Sequence, residues 1–453
     1  MNICKSLIIA LAAVFAAPSM LAAVDADALA ASADREPKNA ALNLKAGKAL
    51  FENGDYIKSK KYLERGGNEA LPWLGKIDFI QYRFDEAEER AQKYIDSKHD
   101  EKSPSHVAAE QLIERVELAR TMLDRVEKVI VIDSIVVGKK DFFKAYRISQ
   151  PTGRITDRSV LPENSKSANP TTVYVTESGD RMLWGSPDAG GNVNIVESSH
   201  LADGSWENPH AVSDNLQLGS NANFPFLLSD GMTLYYASDG EGSLGGYDIY
   251  VTRNDGDRYL NPQNIGMPYN SPLDDYLLAI DDATGVGWWA TDRNMIPDSL
   301  TIYLFVPQEL RDNYPVDGTP DLVDRARITS MRATHREGQN YSRYLDAVRN
   351  LAPSGTSGKT GTETFAFSLP DGRVVTSLSQ FSEPHAADLM RDYLEAKREF
   401  DARTDALMKL REAYGKGDRS LAGEIKSEEN QLEQFRGRLR SMANGVVKAE
   451  TGN

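Results

Sequence analysis

Of 453 residues only one is cysteine, Cys4, and it sits ahead of the N-terminal apolar stretch Leu7 to Ala17. A chain cut after that stretch has no disulfide, no thiol nucleophile and no thiolate metal ligand. Histidine is scarce as well. The six, at 99, 106, 200, 210, 335 and 385, include no His-Glu-x-x-His and no close pair at helical spacing, so the usual zinc patterns are missing. The apolar stretch runs for 11 residues, well short of the roughly 20 that cross a bilayer. Basic residues are outnumbered, 52 Lys and Arg against 67 Asp and Glu, and a net charge of −15 repels phosphate backbones. Nucleic acid is therefore not an expected partner.

What the N-terminus does have is the form of a signal peptide over residues 1–23: Lys5, a short apolar core, then Pro18-Ser19-Met20-Leu21-Ala22-Ala23. Cleavage near Val24 would leave a chain of charge −16 exported to the periplasm or held at the outer membrane. Cys4 precedes the core, so it is not placed to be the acylated first residue of a lipoprotein. No transmembrane segment is expected in the mature chain.

The strongest positive signal is a repeat. Gly185-Ser186, Ala237-Ser238 and Ala290-Thr291 follow the aromatics Trp184, Tyr236 and Trp289, at separations of 52 and then 53 residues. Each copy opens on an apolar strand (Val173 to Val175, Phe224 to Phe226, Tyr276 to Leu278) and later carries Asn194-Ile195-Val196, Asp248-Ile249-Tyr250 or Thr301-Ile302-Tyr303. Even the connections recur, Trp206 to Pro209 matching Tyr259 to Pro262. A period of this size, with short strands between turns, predicts a radial array of small antiparallel sheets over residues 128–312. With Val129 to Ser149, whose apolar residues alternate poorly, the expected count is about four.

Helical patterns flank this region. After an Ala/Asp-rich lead at 24–37, apolar residues take helical spacing from Asn39, break at Gly54-Asp55, and repeat after 28 residues, with Phe84, Ala87 and Ala91 standing where Tyr56, Ser59 and Leu63 stood. A further helix is expected from about Pro104 to Val126. Residues 313–361 read as a helical segment and a flexible linker, and 362–381 as a β-hairpin turned by Pro370-Asp371-Gly372, a candidate to complete the array. In 382–448, Leu389, Tyr393, Ala396, Phe400, Leu407, Leu410 and Tyr414 keep 4-3 spacing apart from Arg403. Leu421, Ile425, Leu432, Phe435, Leu439 and Met442 do so again around Glu428. An antiparallel helical hairpin with a coiled-coil seam follows, its arms burying each other or serving as a dimerisation or docking arm. The expected fold is thus multidomain α plus β.

Two resemblances attach to these motifs. Residues 38–127, with Gly47, Leu50, Gly54, Tyr56 and Leu63 on small and aromatic positions, resemble tetratricopeptide repeats. Ser229-Asp230-Gly231 followed by Leu234-Tyr235, Ala237-Ser238-Asp239 and Gly245-Gly246-Tyr247-Asp248-Ile249-Tyr250 resembles the WD-like blade of TolB-type β-propellers. The combination is similar to Bacteroidetes envelope proteins that join the two modules, often with an OmpA-like domain for which this sequence shows no match. The resemblance implies a role in envelope organisation or secretion-system assembly, without defined chemistry. Helical repeats of this kind bind peptides or proteins, or cap the sheets they adjoin.

Chemical motifs weigh less. Ser354 to Thr360 is similar to a phosphate-binding loop but has Pro353 at the first glycine position and a strand pattern after it, so a linker is the better reading. Ser186-Pro187-Asp188-Ala189-Gly190 resembles a sialidase-type Asp-box turn, a structural element. The loop Asp239 to Asp248 carries few oxygens for calcium, which takes 6–8, and reads as a glycine turn between strands. Candidate ligand or partner rim residues are Trp184, Tyr235 and Trp288 with Asp239 and Asp248, the competing reading of the aromatics being core between sheets. No catalytic set, metal site or cofactor site is expected. The expected function is a non-enzymatic scaffold binding envelope or outer-membrane proteins; the alternatives are a binder of cell-wall glycan or peptidoglycan using loop amides such as Asn192, Asn221 and Asn223, and a hydrolase whose site the sequence does not reveal.

Overall fold

In the computed structural model the described residues are 25–451, apart from 98–99, 166–167, 169, 202–204, 217, 257, 297, 309, 352–366, 370–373, 376–377 and 416–417. The N-terminal lead is itself helical. Asp25 caps α1 (Ala26–Arg35) by accepting from Ala28 N at 2.9 Å, and the helix buries Ala26, Ala30 and Ala33 against Ala46, Leu50 and Tyr62. Two helical pairs follow, α2 (Ala40–Glu52) with α3 (Tyr56–Leu63) and α4 (Leu71–Ile80) with α5 (Phe84–Ile95), and then the longer α6 (Pro104–Leu123).

The 28-residue offset holds in three dimensions. A Cβ on Gly47 would lie 2.6 Å from Leu63, and one on Gly75 would lie 2.7 Å from Leu112, so both helices need a glycine to pack this closely. Gly54 and Tyr82, also 28 apart, both take left-handed φ, +78° and +61°, where the first helix of each pair ends.

The β region opens with β1 (Ile130–Gly138) and forms three antiparallel sheets. The first contains β2 (Arg154–Thr156), β3 (Val173–Val175), β4 (Arg181–Pro187), β5 (Val193–Ser199) and β6 (His210–Ala211) in that spatial order. The second is a meander of β7 (Ala222–Leu227), β8 (Thr233–Ser238), β9 (Asp248–Arg253) and β10 (Gln263–Asn264). In the third, β11 (Asp275–Asp281), β12 (Val286–Thr291) and β13 (Ser299–Val306) are joined by β1, antiparallel to β13 from Ile130↔Val306 to Gly138↔Ser299. The first strand of each later sheet packs on the sheet before it, β7 on β4 and β5, and β11 on β7, β8 and β9.

This arrangement corrects the expected count of about four sheets. Val129 to Ser149 do not build a sheet of their own; β1 is the fourth strand of the third sheet. Its uneven alternation has a local cause, a register shift between Val131 and Asp133. The pairing ties the start of the β region to its end, reinforced by Lys128 N to Asp312 O at 2.7 Å and Tyr314 N to Val126 O at 2.9 Å. Residues 139–152 then cross the core. Phe142 meets Phe224 and Tyr276, each at 5.9 Å between ring centroids, and Tyr146 meets Trp288 at 5.7 Å. Ser149 Oγ and Thr152 Oγ1 donate to buried Asp281 at 2.6 and 2.8 Å, fastening the path toward the first sheet to the end of β11.

Helices and sheets share cores. Leu273 lies among Phe51, Leu63, Leu74 and Ile77, while Leu244 and Met267 lie among Leu112, Val116 and Ala119. After the sheets, α7 (Leu322–Arg327) precedes α8 (Ser342–Asn350), and α8 sets Val348 into the β core. The short β14 (Phe367–Ser368) and β15 (Val374–Val375) extend the edge of the third sheet, β14 pairing in parallel with β1 at Val136↔Phe367. The expected completing hairpin therefore adds to an existing sheet, and its turn lies outside the described residues.

The chain closes with α9 (Pro384–Gly415) antiparallel to α10 (Ala422–Thr451). Phe367, Leu369, Val375 and Phe381 pack beneath Ala386, Met390 and Val446 at the base of this hairpin. Glu450, nearly buried, accepts from Ser382 N at 2.9 Å and Glu383 N at 3.1 Å, putting a carboxylate at the N-terminus of α9. Farther out, the two residues that break the apolar seam find each other: Arg403 donates to both Glu428 oxygens, at 2.7 and 2.9 Å. Among the described residues no helix is long and apolar enough to cross a membrane.

Candidate functional site at the joint of helices and sheets

The densest set of perturbed ionisable groups lies where the helices meet the loops before β9, before β11 and after β12. Two glycines make it. A Cβ on Gly245 would collide with the carbonyl of Leu273, and one on Gly246 with Asp274 Oδ1, so only glycine lets these loops touch. Asp248 then closes its own loop, accepting from Leu244 N at 2.9 Å, Gly245 N at 3.2 Å and Asn264 Nδ2 at 2.7 Å. Burial, with the Asp275 charge adding to it, pushes the Asp248 carboxyl up to about 7. From the helical side Arg115 donates to the carbonyls of Leu244 and Gly245, at 3.3 and 2.9 Å.

Asp274 and Asp292 form the nearest thing to a carboxylate pair. Tyr276 OH lies 3.1 Å from Asp274 Oδ2 and 3.3 Å from Asp292 Oδ2, and Lys139 Nζ donates to Asp292 Oδ2 at 2.9 Å. Burial first, then the Asp292 charge, holds the Asp274 carboxyl well above the usual carboxylate range. Such a pair could in principle share a proton and act as an acid and base. Its other oxygens are occupied, however: Asp292 Oδ1 accepts from Asp274 N at 2.9 Å and Asp274 Oδ1 accepts from Tyr247 N at 2.8 Å.

The same clasp occurs one repeat earlier, and this decides how to read it. Asp239 accepts from Asn221 N at 2.7 Å and Asn221 Nδ2 at 2.8 Å, while Asn221 Oδ1 accepts from Val193 N at 2.9 Å. Asn221 and Asp274 are 53 residues apart, as are Asp239 and Asp292, and each first member reaches back to the preceding sheet, Asn221 to the first residue of β5 and Asp274 to the residue just before β9. A feature that recurs with the fold's own period serves the fold; chemistry needs only one copy.

Beside the second clasp is a fully buried ion pair. Arg293 Nη2 donates to Asp275 Oδ1 at 2.9 Å, and its guanidinium also reaches the carbonyls of Pro268 (2.6 Å) and Tyr269 (2.5 Å) and Thr291 Oγ1 (3.1 Å). Asp275 Oδ2 accepts from Ser271 N and Oγ, at 2.6 and 2.8 Å.

The structure separates the candidate rim residues. Trp184 and Trp288 are 1% and 0% exposed, so neither offers a face to a ligand; Trp184 packs with Val173 and Met182, Trp288 with Tyr146. Tyr235 is half-buried against the Trp289 cluster. Asp239 is half-buried in its clasp, and the Asp248 carboxylate turns inward. Of the loop amides, Asn221 is taken up by the clasp, Asn223 Oδ1 accepts from Phe224 N at 2.8 Å, and Asn192 is exposed. Among the described residues no group of three or more His, Cys, Asp or Glu could hold a metal. Ser354 to Thr360 lie outside the described residues.

Sequence reasoning missed Arg293, Asp275 and the Asp274–Asp292 pair. The signal for the pair was present, since Asn221/Asp274 and Asp239/Asp292 keep the 53-residue offset. No protein-family model, no curated protein and no solved structure matches the chain.

Proposed function

We propose that the chain is a non-enzymatic scaffold of the cell envelope, built from a tetratricopeptide-like helical array, a small propeller-like set of three sheets and a projecting helical arm. The arm carries this reading. By a rise of 1.5 Å per residue α9 and α10 are each about 45 Å long, and the core cluster that holds them to the sheets lies at one end, around Met390 and Val446. Past that base the pair is held by its own seam, including Phe400 on Phe435 at 5.8 Å and the Arg403–Glu428 pair. A stiff lever of this length stabilises the body little, and presenting a surface to another protein is what its geometry suits.

The helical array enters the proposal as a cap. Its cores take in Leu244, Met267 and Leu273 from the sheets, which favours packing over a free peptide groove. The combination is similar to envelope proteins of the Bacteroidetes type, which is the ground for placing it in the periplasm or at the outer membrane. A glycan-binding reading has less support, because Trp184 and Trp288 are buried.

The test is cross-linking in the native envelope, with partners identified by mass spectrometry, for the whole chain and for a form ending before Glu383. Recovery of the same envelope proteins with the whole chain, lost with the shorter form, is expected. Equal recovery by both forms would remove the arm from the proposal.

A further inference from the structure

The arm carries none of the chain's net charge. Its thirteen Lys and Arg balance thirteen Asp and Glu between Pro384 and Thr451, so the −16 expected for the mature chain resides wholly in the rest of the molecule. Within α10 the charges are sorted. Glu424, Glu428, Glu429 and Glu433 against Lys426 give the first half −3, while Arg436, Arg438, Arg440 and Lys448 against Glu450 give the second half +3. The changeover falls near Gln434, midway along the helix.

The seam is also incompletely covered. With both helices in place Ala396, Leu407, Leu432, Phe435 and Val446 are buried, but Leu410, Tyr414, Leu421 and Ile425 toward the tip stay half-exposed. Two helices leave the sides of their seam open to water, and a second pair laid against one side closes it.

We infer that the occupant of that side is the arm of a second copy, laid antiparallel so that two hairpins form a four-helix bundle. Antiparallel placement sets the acidic half of each α10 beside the basic half of the other. It also puts the two bodies of charge −16 at opposite ends of a bundle about 45 Å long, several times the Debye length of about 8 Å in physiological salt. Parallel placement would bring like halves and both bodies together. This inference rests on the arm being the docking element, yet fails separately: a monomeric chain that still cross-links envelope proteins would end the dimer and leave the scaffold.

The test uses the full mature chain, in which an introduced cysteine is the only one. Light scattering on a sizing column gives the mass, and a short bis-maleimide then links single-cysteine forms at two exposed positions of α10, Gln434→Cys at its midpoint and Ala422→Cys at its start. Twice the chain mass, with Gln434→Cys linking to itself at least tenfold faster than Ala422→Cys, is expected. Equal or faster linking at Ala422→Cys would overturn the antiparallel arrangement. A monomer at tens of micromolar would overturn the dimer and leave the open side to a different protein. Unchanged helical circular dichroism shows that each cysteine form is folded.

Discussion

Replacing Arg293 by Met probes the joint most sharply. The side chain of Arg293 is 3% exposed and that of Asp275 not at all, so the substitution keeps much of the volume but removes a buried cation from a buried anion. The carbonyls of Pro268 and Tyr269 lose this donor too, and Thr291 Oγ1 keeps only the backbone N–H of residue 293. Breaking one side of a buried pair costs about 3–5 kcal/mol, and that is the loss expected at pH 8 in urea unfolding followed by tryptophan fluorescence. Trp289 reports on it directly, its ring lying 6.0 Å from the guanidinium.

The pH dependence fixes the cause. In the variant the guanidinium no longer opposes burial and only hydrogen bonds such as those from Ser271 do, so the Asp275 carboxyl moves higher than in the parent, where it is already raised. A carboxyl whose folded pKa exceeds its unfolded value keeps its share of stability below the unfolded pKa and loses it as pH rises through the folded one. The penalty is therefore smaller at pH 5 than at pH 8. A penalty under about 1 kcal/mol at pH 8, or one that grows toward acid, would refute the assignment of Arg293 as the partner of Asp275.

The Asp248 carboxyl titrates near 7 in the fold against 3.8 unfolded, so part of the parent's stability is lost as pH rises between those values; Asp248→Asn should flatten that stretch of the unfolding midpoint plotted against pH. Gly246→Ala pushes a methyl onto Asp274 Oδ1 and should cost about 1–3 kcal/mol in the same unfolding assay, whereas Gly423→Ala, open on the outside of α10, should gain about 0.5–1 kcal/mol. A double-mutant cycle on Arg403 and Glu428 in the thermal unfolding of the arm should return a coupling of about 0.5–1 kcal/mol, since both side chains are partly exposed.

How much of this was legible varied with the range of the interaction. The 52- and 53-residue offsets are a local property of the chain, and they marked the strands of the later copies. The destination of β1 was hidden, because its partner β13 is about 170 residues away and a register shift blurs its alternation. Arg403 and Glu428 were visible as flaws in a seam; only the hairpin's register shows that each is the remedy for the other. The repeated positions of Trp184 and Trp288 fit either a rim or core between sheets, because alternation along a strand does not say which of its two faces meets water, and here both residues are buried. Asp274 and Asp292 were lost among 67 acidic residues until the clasp of Asn221 and Asp239 showed what that offset is for.

The most direct test sets the arm against the carboxylate pair. Chains lacking residues 384–453, or carrying Asp292→Asn, would be compared with the parent for cross-linked envelope partners and for binding and hydrolysis of cell-wall polymer. Loss of partners on removing the arm, with partners intact in Asp292→Asn and no polymer turned over by any form, is the result predicted. Polymer hydrolysis by the parent that vanishes in Asp292→Asn while the fold persists would contradict it.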